Sequence, residues 1–332
     1  MLSGTLILTV VIVIIALVFD IINGFHDSAN AIACCVSTRV LTLKDAVVMS
    51  AFFNFIGAFM SVKVAQTVGK GIVNPNDITQ NVIIAALLGA IIWNLITWYF
   101  GIPSSSSHAL IGGLVGSAIV YKSSFLIINW GSLFFEVILW LILSPIMGFI
   151  IGFVFMTIMN MILKNTRPST VTKIFSKAQI FSAMLIAFNH GGNDAQKTMG
   201  IITMTLVSTG FLQVFAVPLW VKVCCALAMA LGTGLGGKKI IKTMGCKMAK
   251  MAPVNGFSAE MGASAVIFTA TMFNAPVSTT HIITTAIMGV GASKRFSAVR
   301  WAVVKDIVFA WIVTIPGCAL ISGVLVFLVE LI

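Results

Sequence analysis

Forty-four consecutive residues, Ile78 to Tyr121, contain no Asp, Glu, Lys or Arg, and a second such run covers Met261 to Ser293. A soluble domain carries about 25% charged residues, so runs of this length leave it little with which to face water. A bilayer-spanning helix needs about 20 mainly apolar residues. The runs are continuous rather than alternating, which excludes a membrane β-barrel. The rest of the chain agrees: 59% of its 332 residues are hydrophobic and 9% charged, with a mean hydropathy of +1.09. We read an all-α polytopic membrane protein. The first residues, "MLSGTLILTVVIVIIALVF", lack a basic n-region and a small-residue cleavage site, and are expected to be a retained first span.

The expected spans of the first half are Thr5 to Asn23, Ala46 to Val62, Gln80 to Phe100, Ser104 to Tyr121 and Leu133 to Leu163. Those of the second half are Ala178 to Val207 (interrupted), Leu212 to Gly237, Ser258 to Phe273, Val277 to Gly291 and Ile307 to Ile332. Broken or re-entrant segments put the count at ten to twelve.

The net charge of +11 is an orientation signal rather than a nucleic-acid patch. With the N-terminus outside, 15 basic residues fall in inward loops: Arg39, Lys44, Lys164, Arg167, Lys173, Lys177, Lys238, Lys239, Lys242, Lys247, Lys250, Lys294, Arg295, Arg300 and Lys305. Only Lys63, Lys70 and Lys122 fall outside. Inward loops of membrane proteins carry the Lys and Arg excess, so both termini are expected outside a plasma-membrane protein. The adjacent cysteine pairs, Cys34-Cys35 and Cys224-Cys225, fit neither metal spacing nor a disulfide framework, and read as packing residues.

The two halves repeat. "IPSSSSHALIGGLVGSAI" (Ile102 to Ile119) matches "APVSTTHIITTAIMGVGA" (Ala275 to Ala292), and Trp140 and Pro145 recur as Trp311 and Pro316. Asp27 pairs with Asp194. The offsets, 194 − 27 = 167, 281 − 108 = 173 and 311 − 140 = 171, are nearly constant. Five spans per half place the second half upside down, an inverted-topology repeat of the kind secondary transporters use. The expected organisation is a first repeat over 1–165, a cytoplasmic linker over 166–177 and a second repeat over 178–332.

All four histidines lie in the repeated motifs: His26, His108, His190 and His281. So do Asp27 and Asp194. Ionisable groups at membrane depth are costly and functional by default; the other reading is a buried polar pair that locks helix packing. The hydroxyl runs Ser104, Ser105, Ser106, Ser107 and Ser278, Thr279, Thr280 each follow a proline that suits a first helical turn. Two helix N-termini there would bind an anion such as phosphate through free N–H groups; ordinary capping needs the same residues. Asp20, Asn23, Asp27, Asn30, Asn193 and Asp194 supply the hard oxygens a small coupling cation needs. Asn23 and Asn193 also carry amide donors and are placed in the phosphate set too. Gly24, Gly191 and Gly192 permit the unwound backbone that such sites use. Lys197, three residues after Asp194, is placed either to pair with it on one helix face or to meet the anion. Glu260 reads as a helix N-terminal charge or an intramembrane carboxylate. No pair of histidines has the spacing of a transition-metal ligand set.

Taken together, "GFHDSANAIA" with "HGGNDAQKTMG", and "PSSSSHALIGG" with "PVSTTHIITTAIMG", resemble the duplicated signatures of the inorganic phosphate transporter family, over about residues 15 to 320. The resemblance implies a symporter for inorganic phosphate, coupled to Na+ or H+, with a midplane site shared by both repeats and often a homodimer. On that resemblance Asp20, Asn23, Asp27 and Asn30 match the first block, and Asn193 and Asp194 the second. The chain departs from the pattern at Gln196-Lys197, where a small residue and asparagine are usual, as at Ala29-Asn30. The resemblance also admits sulfate as the cargo. An intramembrane enzyme acting on a phosphate-bearing lipid and a passive channel are the competing classes. No enzyme activity and no cofactor is expected, and no nucleotide-binding motif is present.

Overall fold

A computed structural model of the chain describes residues 2–235, 240–241 and 251–331. Lys238, Lys239, Lys242, Lys247 and Lys250 of the inward charge count lie outside the described residues, as do the expected span ends Gly237 and Ile332. In lipid every backbone N–H and C=O must be satisfied within the protein, and helices do this segment by segment. The described chain is helical, with no strand among the described residues. Its helices are α1 (Leu2–Ser37), α2 (Leu43–Gly57), α3 (Lys63–Gln66), α4 (Gln80–Phe100), α5 (Ser106–Lys122), α6 (Trp130–Ile162), α7 (Pro168–Ser208), α8 (Leu219–Leu235), α9 (Pro253–Met272), α10 (Thr279–Ala292) and α11 (Trp301–Glu330). By length and composition α1, α4, α6, α7 and α11 can cross a membrane. At 1.5 Å per residue, α5 and α10 are about 26 and 21 Å long, short of the roughly 30 Å hydrocarbon core.

The turns that precede the two short helices, α5 and α10, have the same form. Gly101 ends α4 in the left-handed conformation (φ 68°), and Asn274 takes that conformation (φ 65°) after α9. Both residues tolerate it at little cost, and each turns the chain back toward a short helix. Pro145 and Pro316 lie inside α6 and α11.

Glycines set how closely the halves interlock. A Cβ at Gly57 of α2 would lie 1.9 Å from the Phe188 carbonyl oxygen of α7, and one at Gly191 of α7 would lie 2.2 Å from Asn54 O of α2. The same reciprocity joins α1 to α8: Gly24 faces Met229 O at 2.6 Å, and Gly232 faces Ile21 O at 2.1 Å. Gly112 and Gly116 of α5 rest on Ile315 and Ala319 of α11, and Gly148 and Gly152 of α6 rest on Ile282 and Ala286 of α10. Small residues let backbones approach where lipid gives no hydrophobic drive between helices. The expected unwinding at Gly24, Gly191 and Gly192 is thus corrected. α1 and α7 run unbroken through both signature blocks, so the expected interruption of the Ala178 to Val207 span is absent. Gly24 and Gly191 serve helix crossings instead. Helix α7 begins at Pro168, so most of 166–177 is helical.

The loops gather into two sets. In one, Gln80 donates to Thr9 Oγ1 (3.1 Å), Asn81 to Glu330 Oε1 (3.4 Å) and Asn129 N to Ile72 O (2.9 Å). In the other, a cavity of about 360 Å³ is lined by Met251, Asn255, Lys294, Arg295 and Arg300. Lys294 is shared with a neighbouring cavity that Lys164, Pro168 and Ala252 also line. α1 and α6 run from the first set to the second, whereas their counterparts α7 and α11 run from the second to the first.

Candidate functional site

The two Pro-hydroxyl segments open α5 and α10. Ser105 is the N-cap of α5, its Oγ accepting the His108 N–H at 3.2 Å; Ser278 caps α10 in the same way, accepting His281 N–H at 3.2 Å. These two hydroxyls are therefore committed to the helix ends. The helix starts lie side by side: Ser107 Oγ donates to the Val277 carbonyl at 3.2 Å, and the His108 and His281 rings lie 5.0 Å apart. Trp311 of α11 stacks on His281 at 3.9 Å and donates from Nε1 to Pro103 O at 3.0 Å, fixing both segments. Ser106 Oγ and both His108 ring nitrogens are buried without a hydrogen-bond partner. Polar groups of that kind, beside two helix N-termini, form a surface suited to an anion.

The carboxylates come from the middles of α1 and α7. Spacings of three and four residues place Asp20, Asn23, Asp27 and Asn30 on one stripe of α1, and all four are buried. Asp27 Oδ1 lies 2.7 Å from His26 Nδ1 and accepts from Thr280 Oγ1 at 3.3 Å. His26 Nε2 stands 3.0 Å from Thr97 Oγ1 of α4, to which Ser104 Oγ also donates at 2.9 Å. On α7, Asp194 Oδ2 accepts from Thr279 Oγ1 at 3.2 Å and lies 3.1 Å from His190 Nε2. Asp194 Oδ1 is paired with the Lys197 ammonium. Asn30 donates to Thr279 Oγ1 (3.1 Å) and Thr280 Oγ1 (2.9 Å), so the start of α10 is held by both α1 and α7. Donor atoms of Asp27, His190 and Asp194 all lie within 4.8 Å of one another. The fold thereby brings a histidine into the carboxylate cluster that linear spacing did not select.

Asp27, Asn30, Asp194, Ser107, Thr279 and Thr280 are thus joined in one network. Ser104 reaches the same network only through His26, while Asn193 donates to Thr271 Oγ1 (2.8 Å) and Ala275 O (3.2 Å). Both carboxylate oxygens of Asp20 and the amide oxygens of Asn23, Asn30 and Asn193 are buried without a hydrogen-bond partner. An unpaired buried acceptor costs about 1–3 kcal/mol. Oxygens in this state suit a hard cation.

A family model described as "Phosphate transporter family" matches residues 23–322. The chain belongs to that family. It is 49% identical over 331 residues to a Bacillus subtilis (strain 168) protein named "Probable low-affinity inorganic phosphate transporter", covering 98% of each chain. A Rhizobium meliloti (strain 1021) protein of the same name is 49% identical over 327 residues, with 98% of this chain and 97% of that one covered. The solved structure of "The sodium-dependent phosphate transporter" shares the fold with a TM-score of 0.87 at 24% identity, covering 98% of this chain and 99% of that one. These relatives are transporters, not enzymes, and the chain is a multi-pass membrane protein of their family.

Within this family member, several site residues escape a reading by motif. Asn54 of α2 accepts at Oδ1, 3.0 Å from His190 Nδ1, and donates to Thr233 Oγ1 at 2.9 Å. Thr97 of α4 supports His26. They sit in the apolar stretches "SAFFNFIGAF" and "WNLITWYF", where two polar residues four and three apart, Ser50 with Asn54 and Asn94 with Thr97, are the available signal. Gln196 Oε1 accepts from Val64 N (2.9 Å) and anchors α3. Glu260 is not a helix-start charge. It is buried within α9 and accepts from Ser182 Oγ at 2.5 Å and Cys35 Sγ at 3.5 Å, apart from the central network. Cys34, Cys35, Cys225 and Cys318 are buried and free.

Proposed function

We propose that this protein is a secondary active symporter that imports inorganic phosphate together with a cation, sodium in preference to a proton. The central observation is the joining of two intramembrane carboxylates, one from each half, to the start of α10 through Thr279 and Thr280, with the start of α5 held beside it by Ser107. Phosphate takes the helix-start side, near Ser106, Ser107 and His108, where N–H and hydroxyl donors converge. A carboxylate directly against phosphate would repel it, the more so in a low dielectric. Asp27 therefore serves the cation, together with the buried oxygens of Asp20, Asn23 and Asn30, while Asp194, beside Asn193, is held by Lys197. Sodium is favoured by this oxygen-rich set and by the likeness in fold to a protein described as sodium-dependent.

The site is shared by two inverted repeats, 1–165 and 178–332, near the membrane midplane. The opposite directions of α1 and α7, and of α6 and α11, support this reading, as does the reciprocal packing of α1 on α8 and α7 on α2. Both termini face outward, which the segregation of Lys164, Lys294, Arg295 and Arg300 to one set of loops supports. The functional unit is a homodimer in the plasma membrane. Radiolabelled phosphate uptake into proteoliposomes under an inward sodium gradient, with excess sulfate or excess unlabelled phosphate as competitor, tests the reading. Competition by phosphate and not by sulfate is expected; equal competition by sulfate would make the protein a sulfate permease.

A further inference from the structure

The repeat equivalence that aligns Asp27 with Asp194 also aligns Asn30 with Lys197, three residues on in each case. The two residues do not do the same work. Asn30 gives its amide protons to Thr279 and Thr280 and leaves Oδ1 buried and unpartnered. Lys197 is 1% exposed and places its ammonium on Asp194 Oδ1, Ser107 Oγ and the Val277 carbonyl, the last at 2.9 Å. Its three ammonium protons therefore meet three oxygens: the second carboxylate, the Val277 carbonyl just before α10 and the Ser107 hydroxyl in the first turn of α5.

A sodium ion at the second half-site would need those same oxygens. Asp194 has none to spare: Oδ1 is on Lys197, and Oδ2 has Thr279 Oγ1 at 3.2 Å and His190 Nε2 at 3.1 Å. The first half-site differs. Asn30 Oδ1 and Asn23 Oδ1 remain unpartnered near an Asp27 that no lysine pairs with among the described residues, whereas the second half-site keeps Asn193 Oδ1 unpartnered but has Asp194 paired with Lys197. The residues present thus fit a mobile cation in the first half-site and do not fit one in the second.

We infer that Lys197 is a resident cation that fills the second coupling site, so that this chain moves one cation fewer per phosphate than a fully symmetric pair of half-sites would. A buried ammonium with three oxygen partners neutralises Asp194 permanently, as a bound sodium would do transiently. It also donates to Ser107, which ties the fixed charge to the helix start proposed to hold phosphate. The inference rests on the symporter reading for its consequence, but its structural content is a statement about sodium binding alone.

Equilibrium binding of radioactive sodium to the purified protein is compared for wild type, Lys197→Asn and Lys197→Gln. The asparagine restores the residue found at position 30, and the glutamine is a longer amide that covers the case in which the asparagine variant does not purify. Each variant is expected to bind one sodium ion more per chain than wild type. In proteoliposomes, the apparent order of phosphate uptake in sodium is expected to rise by one. The same number of ions bound by wild type and variants overturns the inference, whether or not uptake survives. An extra ion bound by a variant, with no phosphate moved by wild type under any gradient, supports the assignment of Lys197 and counts against the symporter reading.

Discussion

At the residue scale, the hydroxyl runs divide between support and contact. Ser105 and Ser278 cap helices, so Ser105→Ala should lower stability by about 1 kcal/mol with little change in the KM for phosphate. Ser107→Ala removes a hydroxyl that meets Lys197 and Val277 and should raise that KM while the melting temperature stays near wild type. Thermal melts and initial uptake rates on the same preparations separate the two; a KM effect confined to Ser105 would reverse the assignment. The aspartates divide as well. Asp27→Asn should weaken the dependence of uptake on sodium. Asp194→Asn strands the buried Lys197 ammonium, and breaking a buried pair from one side costs about 3–5 kcal/mol, so its first effect should be a loss of folded protein on size-exclusion chromatography. Equal behaviour of the two variants would contradict the asymmetry of the site. The chemistry of these residues was legible because carboxylates, histidines and hydroxyls are conspicuous in an apolar chain. Their partners were not: Asn54 and Thr97 reach His190 and His26 from other helices, and no linear spacing encodes that.

At the element scale, each of the ten expected spans overlaps a helix among the described residues, and Gln80–Phe100 coincides with α4 to the residue, while the span expected from Leu212 begins as a helix only at Leu219. Besides the linker over 166–177, which is mostly helical, the errors lie at the signature blocks. Polar, glycine-containing stretches such as "NGFHD" and "HGGND" read as breaks because glycine and asparagine disfavour helix interiors in water. Here the helices continue because the polar side chains find partners on neighbouring helices and the glycines let those helices come close. The packing can be tested within α8. A Cβ at Gly232 would fall 2.1 Å from Ile21 O, whereas Gly234 has nothing within 4 Å. Gly232→Ala should destabilise by about 1–3 kcal/mol through overpacking, and Gly234→Ala should be neutral or slightly stabilising. Melting temperatures in one detergent decide this; equal effects would mean that the α1–α8 crossing is not as close as described.

At the scale of the whole molecule, the duplicated motifs and the basic-residue asymmetry together carry the architecture. The near-constant offset supports the proposed two repeats, and the close glycine contacts of α1 with α8 and of α2 with α7 are what a linear reading cannot reach. The orientation proposed from charge is open to labelling. A single cysteine at Lys173, an exposed position near the start of α7, in a background without the native cysteines, should resist an impermeant thiol reagent in intact cells and react after permeabilisation. Ready labelling of intact cells would invert the topology. The central claim is that one site couples phosphate to a cation, and concentrative uptake tests it most directly. Purified protein in sealed liposomes, with an inward sodium gradient and the membrane potential clamped at zero, should raise internal phosphate above the external concentration and lose that excess when the gradient is collapsed. Uptake that stops at equal concentrations inside and out, with the gradient intact, would contradict the account.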